Sequence, residues 1–529
     1  MPITIFFSQG RGEGTARYFF KMSVTIYSAQ VVGLEARPIS VEVDVSPGLH
    51  IFSIVGLADK EVQESRERIG AAIKNLGALA PHKKAQRVII NLAPADIKKE
   101  GPAFDLPIAL GYLLASGQIS FDPSRKLFMG ELGLDGTLRR VSGVLPSALA
   151  SRVAGFSTLI LPKGNGKEAA LIDGLEVREA KTLLEVVEHL SGRTELTLIP
   201  HTAFTPDLPS YPIDLRDIKG QETPKRAIEI AAAGGHNLLL FGPPGAGKTL
   251  LATALPSILP PLSFDEALEV TKIYSTAGLL NEDKPFVASR PFRNPHHTSS
   301  HTSVIGGGSH PRPGEITLAH RGVLFLDEFP EFDRRVVESL RQPLEDRTIT
   351  VARTHGVATF PANFLFVAAM NPCPCGNFGN QRIDCVCAPG AISKYKKKIS
   401  GPMLDRIDLH AETSAVEYEK LSRGGGEGKD SSTVRAGVIR AREIQERRFL
   451  KRGIRANAEM GLRDIKEFLP VNDSLRHVLR LADEKHHLSA RSYHKVLKVA
   501  RTIADLAGSE EITSDHLSEA LQFRPRQEI

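Results

Sequence analysis

The chain has 529 residues, more than one ordinary hydrophobic core organises, which sets an expectation of roughly two to four domains and excludes a single small binding module. Hydrophobic residues make up 41% and charged residues 24%, a globular composition, and no run reaches the roughly 18 apolar residues of a membrane span, so no membrane association is expected. Lys and Arg number 67 against 61 Asp and Glu, a net +6 too modest to argue for nucleic acid alone, although nineteen basic and fourteen acidic residues from Thr433 to Ile529 make the C-terminus the basic end.

Residues 1–21 hold Gly, Arg and Phe without a compact apolar block and small-residue cleavage site, so no secretory signal is read and a cytoplasmic location is expected. Met22 opens an alternating stretch and is a second candidate start, which leaves 1–21 as an N-terminal extension. From 22 to 195, strand-like runs (Val41–Val45, Val88–Leu92) interleave with helical ones (Glu61–Leu76, Pro107–Ser116), the pattern of an α+β domain. Prolines at 200, 206, 209 and 212 mark an extended linker over 196–213.

Between 214 and 415 short apolar strands alternate with helices, at Asn237–Phe241, Gly322–Leu326 and Asn363–Ala369, predicting an α/β core on a parallel sheet. Gly242-Pro243-Pro244-Gly245-Ala246-Gly247-Lys248-Thr249 joins the first strand to a helix-compatible run, Leu250–Leu259, the context of a phosphate-binding P-loop. There backbone N–H groups close around a β-phosphate, Lys248 neutralises the β/γ oxygens and Thr249 offers its hydroxyl to Mg²⁺, so ATP and Mg²⁺ are the expected ligands. The strand Val323–Leu326 ends in Asp327 and Glu328. Asp327 would hold Mg²⁺ through water and Glu328 would polarise the attacking water, which favours hydrolysis over mere binding. Asn371, closing the strand Phe364–Met370, is either a group orienting that water or a turn residue.

Ile349–Val351 and Val357–Phe360 flank a Gly-containing turn and read as a hairpin. Cys373-Pro-Cys375 and Cys385-Val-Cys387, the chain's four cysteines, form two C-x-C pairs nine residues apart. They read as a closed four-thiolate site for structural Zn²⁺, or as reduced thiols packed in a loop. The following Lys394–Lys398 run is either a phosphate contact or a solvated charge run. The Gly-rich, charged stretch 416–432 is a flexible linker to an all-α C-terminal domain over 433–529.

These motifs, with Phe292-Arg-Asn-Pro-His-His, Gly306-Gly-Gly-Ser-His-Pro-Arg-Pro-Gly-Glu, Leu326-Asp-Glu-Phe-Pro-Glu-Phe, Asn371-Pro-Cys-Pro-Cys-Gly, Gly401-Pro-Met-Leu-Asp-Arg-Ile-Asp-Leu and Ser489-Ala-Arg-Ser-Tyr-His, resemble the magnesium-chelatase-like, helicase-related AAA+ ATPases, and among them the ComM/YifB proteins. The resemblance covers about Met22 to Phe523. It implies a hexameric ring in which Arg406 is an arginine finger on the neighbouring subunit's ATP and Arg491 the sensor-2 arginine; either is otherwise a structural salt bridge. It also implies that the hairpin points into a central channel, with Arg353 and His355 toward DNA phosphates and Thr298–Gly314 as a companion loop, unless both are surface loops.

Glu100-Gly-Pro-Ala-Phe-Asp-Leu-Pro, Gly130-Glu-Leu-Gly-Leu-Asp-Gly and Ser142-Gly-Val-Leu-Pro resemble the Lon-type proteolytic fold. That family's serine and lysine positions hold Ala103 and Leu145 here, which can neither attack a carbonyl nor take a proton, and Ser142 and Ser147 lie outside the motif. A Lon-like domain without proteolysis is expected, serving assembly and DNA binding as the similar domain of RadA does. The resemblance implies an ATP-driven DNA motor for branch migration in recombination of transforming DNA. The alternatives are a magnesium-chelatase-type ATPase subunit and a protein-remodelling or protease factor.

Overall fold

A computed structural model describes residues 23–83, 85–206, 211–308, 311–353, 356–380, 383–414, 428–486 and 488–524. The proposed extension 1–21, His355 and most of the 416–432 linker lie outside the described residues. The chain packs as two compact units that part at Thr202 and Ala203.

In the first unit, eight strands form one mixed sheet. Its long antiparallel pair, Glu35–Pro47 with Gln86–Ala93, alternates buried and exposed positions, so Val41, Val43, Val45, Val88, Ile90 and Leu92 line one face and the polar residues the other. Lys60–Asn75 and the almost wholly buried helix Asp105–Ala115 contribute to its core. Thr197–Leu198, the start of the predicted linker, is instead an edge strand pairing with Glu176–Ala180; the backbone pairing, not apolar periodicity, holds these two exposed residues.

A buried ion pair pins the helix Asp105–Ala115. Arg68 Nε and Nη2 donate to the two Asp105 oxygens at 2.7 and 2.9 Å, and Leu132 N donates to the same carboxylate at 3.1 Å. Burial pushes the Asp105 carboxyl up to about 6 against the pull of Arg68, so its ionisation costs stability as pH climbs through that range. Removing one partner of such a pair leaves a buried charge uncompensated. Arg68→Ala is therefore expected to destabilise this helix by about 3 kcal/mol at pH 8, and by less at pH 5, where the orphaned carboxyl takes up a proton. Hydrogen exchange of the helix amides in the intact chain, measured at both pH values, checks this.

The second unit is built on a five-stranded, wholly parallel sheet in the order Phe292–Arg293, Val323–Leu326, Leu365–Met370, Leu238–Phe241, Leu409–Glu412. Central strands are buried on both faces, which explains their unbroken apolar runs. The C-terminal helices Ser431–Phe449, Leu462–Phe468, Asp473–His486, Ala490–Leu506 and Ser514–Gln522 share one hydrophobic core with this sheet: Val438, Phe449, Leu497 and Leu517 join Leu238, Leu240 and Val367. Sheet and helices thus pack as one unit although the charged linker separates them in sequence.

The helix expected over Leu250–Leu259 begins at Lys248 and ends at Ala254, continuing as a 3₁₀ turn, Leu255–Ile258. Pro256 lacks the N–H needed to extend the α-helical ladder. The hairpin is present as Thr348–Arg353 against Gly356–Pro361, with Arg353 paired to Gly356. Ile349, Val351 and Phe360 anchor it in the core while Val357 is exposed. The companion segment contains a short helix, His301–Ile305, and the strand pair Gly306–Gly307 with Arg312–Pro313.

Candidate nucleotide site and cysteine centre

The P-loop leaves the C-terminal end of Leu238–Phe241, between two parallel neighbours whose ends deliver Asn371 and Thr413 to the same edge. Gly242 is required there: a Cβ would lie 2.1 Å from the Thr413 carbonyl oxygen. Lys248 opens the following helix and donates to the carbonyls of Gly242 (2.7 Å) and Pro243 (2.8 Å) and to Asn371 Oδ1 (3.0 Å). Burial pushes its ammonium down to about 8, against the opposing pull of Asp327. Thr249 Oγ1 donates to Asp327 Oδ2 at 2.7 Å, so the hydroxyl and carboxylate expected at Mg²⁺ already meet. Thr249, Asp327, Lys248 and Asn371 therefore form one cluster with the donor set that a Mg²⁺-nucleotide takes.

Glu328 follows at φ +52°, a left-handed conformation unusual for a residue with a side chain, and starts the turn Phe329–Glu331. Its Oε2 lies 3.1 Å from His297 Nδ1. The parallel pairing of Phe292–Arg293 with Val323–Leu326 carries the loop bearing His297 past the same sheet edge. Arg293, in that loop's strand, makes a two-pronged 2.6 Å pair with Glu315, joining two of the sequence strings that looked unrelated along the chain. His297 was missed as a functional candidate, and its only sequence signal was membership in the Phe292-to-His297 string.

Arg406 and Arg491 meet elsewhere. Both bind one carboxylate, Glu345 on the helix Arg341–Asp346, at 2.8 and 2.7 Å. Although burial works against it, hydrogen bonds from the two guanidinium groups hold the Glu345 carboxyl below its ordinary value. Asn237 Nδ2 donates to the Arg406 carbonyl and Asn237 N to Asp408, which places this cluster at the N-terminal end of the P-loop strand. Four residues of strand separate the two ends by about 13 Å. The arginines flank a basic cleft of about 870 Å³ that also includes Arg347, Arg442 and Lys498. Glu345 belongs to no recognisable motif and only the fold reveals it. Asp408 was passed over too; it pairs with Lys495 at 3.1 Å, fastening the helix Ala490–Leu506 to the strand end.

Cys373, Cys375, Cys385 and Cys387 converge, their sulfurs all within 4.8 Å of one another. The separations 373–375, 373–385 and 375–385 are 3.4, 3.6 and 3.6 Å, close to the edge of about 3.8 Å of a tetrahedron with Zn–S bonds of about 2.3 Å. Phe378 N donates to Cys373 Sγ, and backbone N–H bonds, chiefly from Asn377, draw the Cys375 thiol down to about 6, whereas, against backbone N–H bonds, burial and the neighbouring cysteines push the Cys385 and Cys387 thiols up, so the four sulfurs share their charge unevenly without a cation between them. In the lysine run, Lys398 pairs with Glu331 at 2.7 Å and Lys396 lies over the Phe378 ring. Of Arg353 only the backbone is described.

In the first unit Ala103 lies in the turn Pro102–Phe104, and Leu145 is fully buried at the start of the helix Val144–Val153. The Ser147 hydroxyl is also buried and donates to the Gly143 carbonyl at 2.7 Å. Among the described residues no helix is long and apolar enough to cross a membrane.

A parallel sheet with a glycine-rich loop on a central strand, a Lys–Thr pair opening the next helix and an acidic pair on the next-but-one buried strand define a P-loop nucleotide-binding protein. Family models place it further. Residues 41–165 match subunit ChlI of Mg-chelatase, 214–421 match magnesium chelatase subunit ChlI, and 428–524 match the C-terminal part of that subunit. The chain is 42% identical over 505 residues to competence protein ComM of Haemophilus influenzae, covering 94% of this chain and 97% of that one. It is 42% identical over 506 residues to YifB of Escherichia coli, covering 95% and 97%. Over 148 residues it is 29% identical to Lon protease 2 of Bacillus subtilis, 26% of each chain. The chain belongs to the ComM/YifB family of magnesium-chelatase-like AAA+ ATPases.

Proposed function

We propose that the protein is an ATP-hydrolysing motor that assembles as a ring, a hexamer by family resemblance, and moves DNA strands during recombination of incoming DNA. The observation that carries the reading is the separation of Lys248, Thr249, Asp327, Glu328 and Asn371 at one sheet edge from Arg406 and Arg491 at the other. A nucleotide cradled by the first group lacks the arginines unless another chain supplies them, so hydrolysis is coupled to assembly. Mg²⁺ bound with ATP supplies charge neutralisation at the β- and γ-oxygens. Lys248 holds those oxygens, Glu328 takes the proton of the attacking water, and Asn371 aligns that water. The DNA assignment draws on the similarity to a competence protein, on the hairpin Thr348–Pro361 with Arg353 and His355 as its phosphate contacts, and on the basic C-terminal segment. The four cysteines are assigned a structural Zn²⁺, since four protein thiolates leave no open position for catalysis. The Lon-like unit, with Ala103 and Leu145 at the serine and lysine positions, is assigned an assembly role without proteolysis.

The test is steady-state ATPase of the full chain with single-stranded DNA, duplex and a mobile four-way junction, across a salt series. DNA is expected to stimulate turnover, and its affinity to fall steeply with salt as phosphate contacts release counterions. The three matches to the chelatase subunit favour a second reading, a metal-insertion ATPase. Undiminished basal turnover with no response to any DNA at low salt would transfer the assignment to it.

A further inference from the structure

The cysteine centre and the P-loop touch. Gly376, between Cys375 and the exposed part of the cysteine loop, has φ +81°, and a Cβ there would lie 2.5 Å from Pro244 Cδ, so the backbone of the cysteine turn rests against the P-loop. Cys373 is buried two residues beyond Asn371, whose side-chain oxygen accepts from Lys248. Gly376 N donates to the Cys373 carbonyl at 3.0 Å, closing the turn that joins these contacts.

The described residues of this loop bury little apolar surface. Among the described residues between Met370 and Pro389 there is no helix or strand, and Phe378, Ile383 and Val386 are 45%, 57% and 85% exposed. Cys373 is the sole described residue of the loop in the hydrophobic core. A segment that buries so little apolar surface does not offset its ordering entropy, whereas a metal on all four thiolates closes it into three successive rings, 373–375, 375–385 and 385–387.

We propose that this metal centre braces the nucleotide site: Zn²⁺ on the four cysteines holds Gly376 against Pro244 and Asn371 against Lys248, so metal occupancy sets nucleotide affinity. The inference rests on reading the cysteines as a zinc site and adds an energetic link to the P-loop, carried by the direct approach of Gly376 to Pro244. Zinc and nucleotide then favour each other's binding by the same factor, as linkage requires.

The experiment uses the full-length protein, its zinc content measured by metal analysis and its affinity for a fluorescent ADP analogue by titration. Removing zinc from the wild type, or replacing the distal pair with Cys385→Ser and Cys387→Ser, is expected to weaken ADP binding about tenfold, inside the range of coupled sites. Saturating ADP is expected to raise the wild type's zinc affinity by that same factor, a reciprocal effect that damage to the fold in a variant does not produce. Gly376→Ala, which keeps every thiol, is expected to retain zinc and still lose ADP affinity. A zinc-loaded chain whose ADP affinity does not change on metal removal, and whose zinc affinity ignores ADP, overturns the brace while leaving the metal site standing. A chain that takes up no zinc overturns both, and a zinc-loaded chain that binds no nucleotide overturns the brace together with the ATP site.

Discussion

Glu328→Gln is expected to bind ATP about as well as the wild type and to turn it over at least ~100-fold more slowly, the low end of what a positioned base contributes. The amide keeps the shape and the left-handed backbone at φ +52° but accepts no proton. Lys248, Thr249 and Asp327, to which the proposal assigns the nucleotide contacts, are untouched. Lys248 makes the same site pH-dependent in a defined direction. In the empty site burial holds its ammonium at about 8, and a bound polyphosphate favours the charged form, so binding above that pH takes up a proton. ATP affinity should fall as pH rises through about 8, approaching tenfold per pH unit beyond it. Titrations of Glu328→Gln with ATP between pH 7 and 9 measure binding without turnover. Weakened binding at pH 7 would show that Glu328 serves the ground state, and a pH-independent affinity would show that Lys248 stays charged in the empty site.

How much could be read in advance follows from what each feature depends on. The P-loop, the acidic pair and the cysteine pairs are short-range signals, because backbone approach, a buried strand end and thiolate spacing each leave a local residue pattern. Asn371 was legible as the polar end of an apolar strand, but its bond to Lys248 was not, since 123 positions separate them and only the parallel register of Leu238–Phe241 with Leu365–Met370 brings them together. Glu345 had no signal at all: it sits on a six-residue helix and matters through two arginines from distant segments. The linker prediction erred at Thr197–Leu198 for a related reason, an edge strand being held by its partner rather than by its own composition. The shared core of the sheet and C-terminal helices was equally invisible, as the apolar stripe of a helix does not name the surface it will meet.

Arg406→Ala is expected to lower turnover about 10³-fold, the smaller end of what an arginine on the γ-phosphate provides, with ATP affinity little changed. Arg406 belongs to the sheet edge remote from its own Lys248, its guanidinium is turned to Glu345, and its Nε is buried with no hydrogen-bond partner among the described residues. A donor left unsatisfied in that way costs the isolated chain free energy that an incoming acceptor recovers. In the proposed ring the γ-phosphate of a neighbour's ATP would be such an acceptor, competing with Glu345 for both arginines. Mixing separates this from a role within one chain. Lys248→Ala protein binds no ATP but still offers Arg406, whereas Arg406→Ala protein offers an intact P-loop. Each is expected to be nearly inactive alone, and together they should regain turnover at the interfaces where one chain's P-loop faces the other's arginine. Co-assembly without any recovery would place the effect of Arg406 inside its own chain, where its pairing with Glu345 makes it a structural salt bridge.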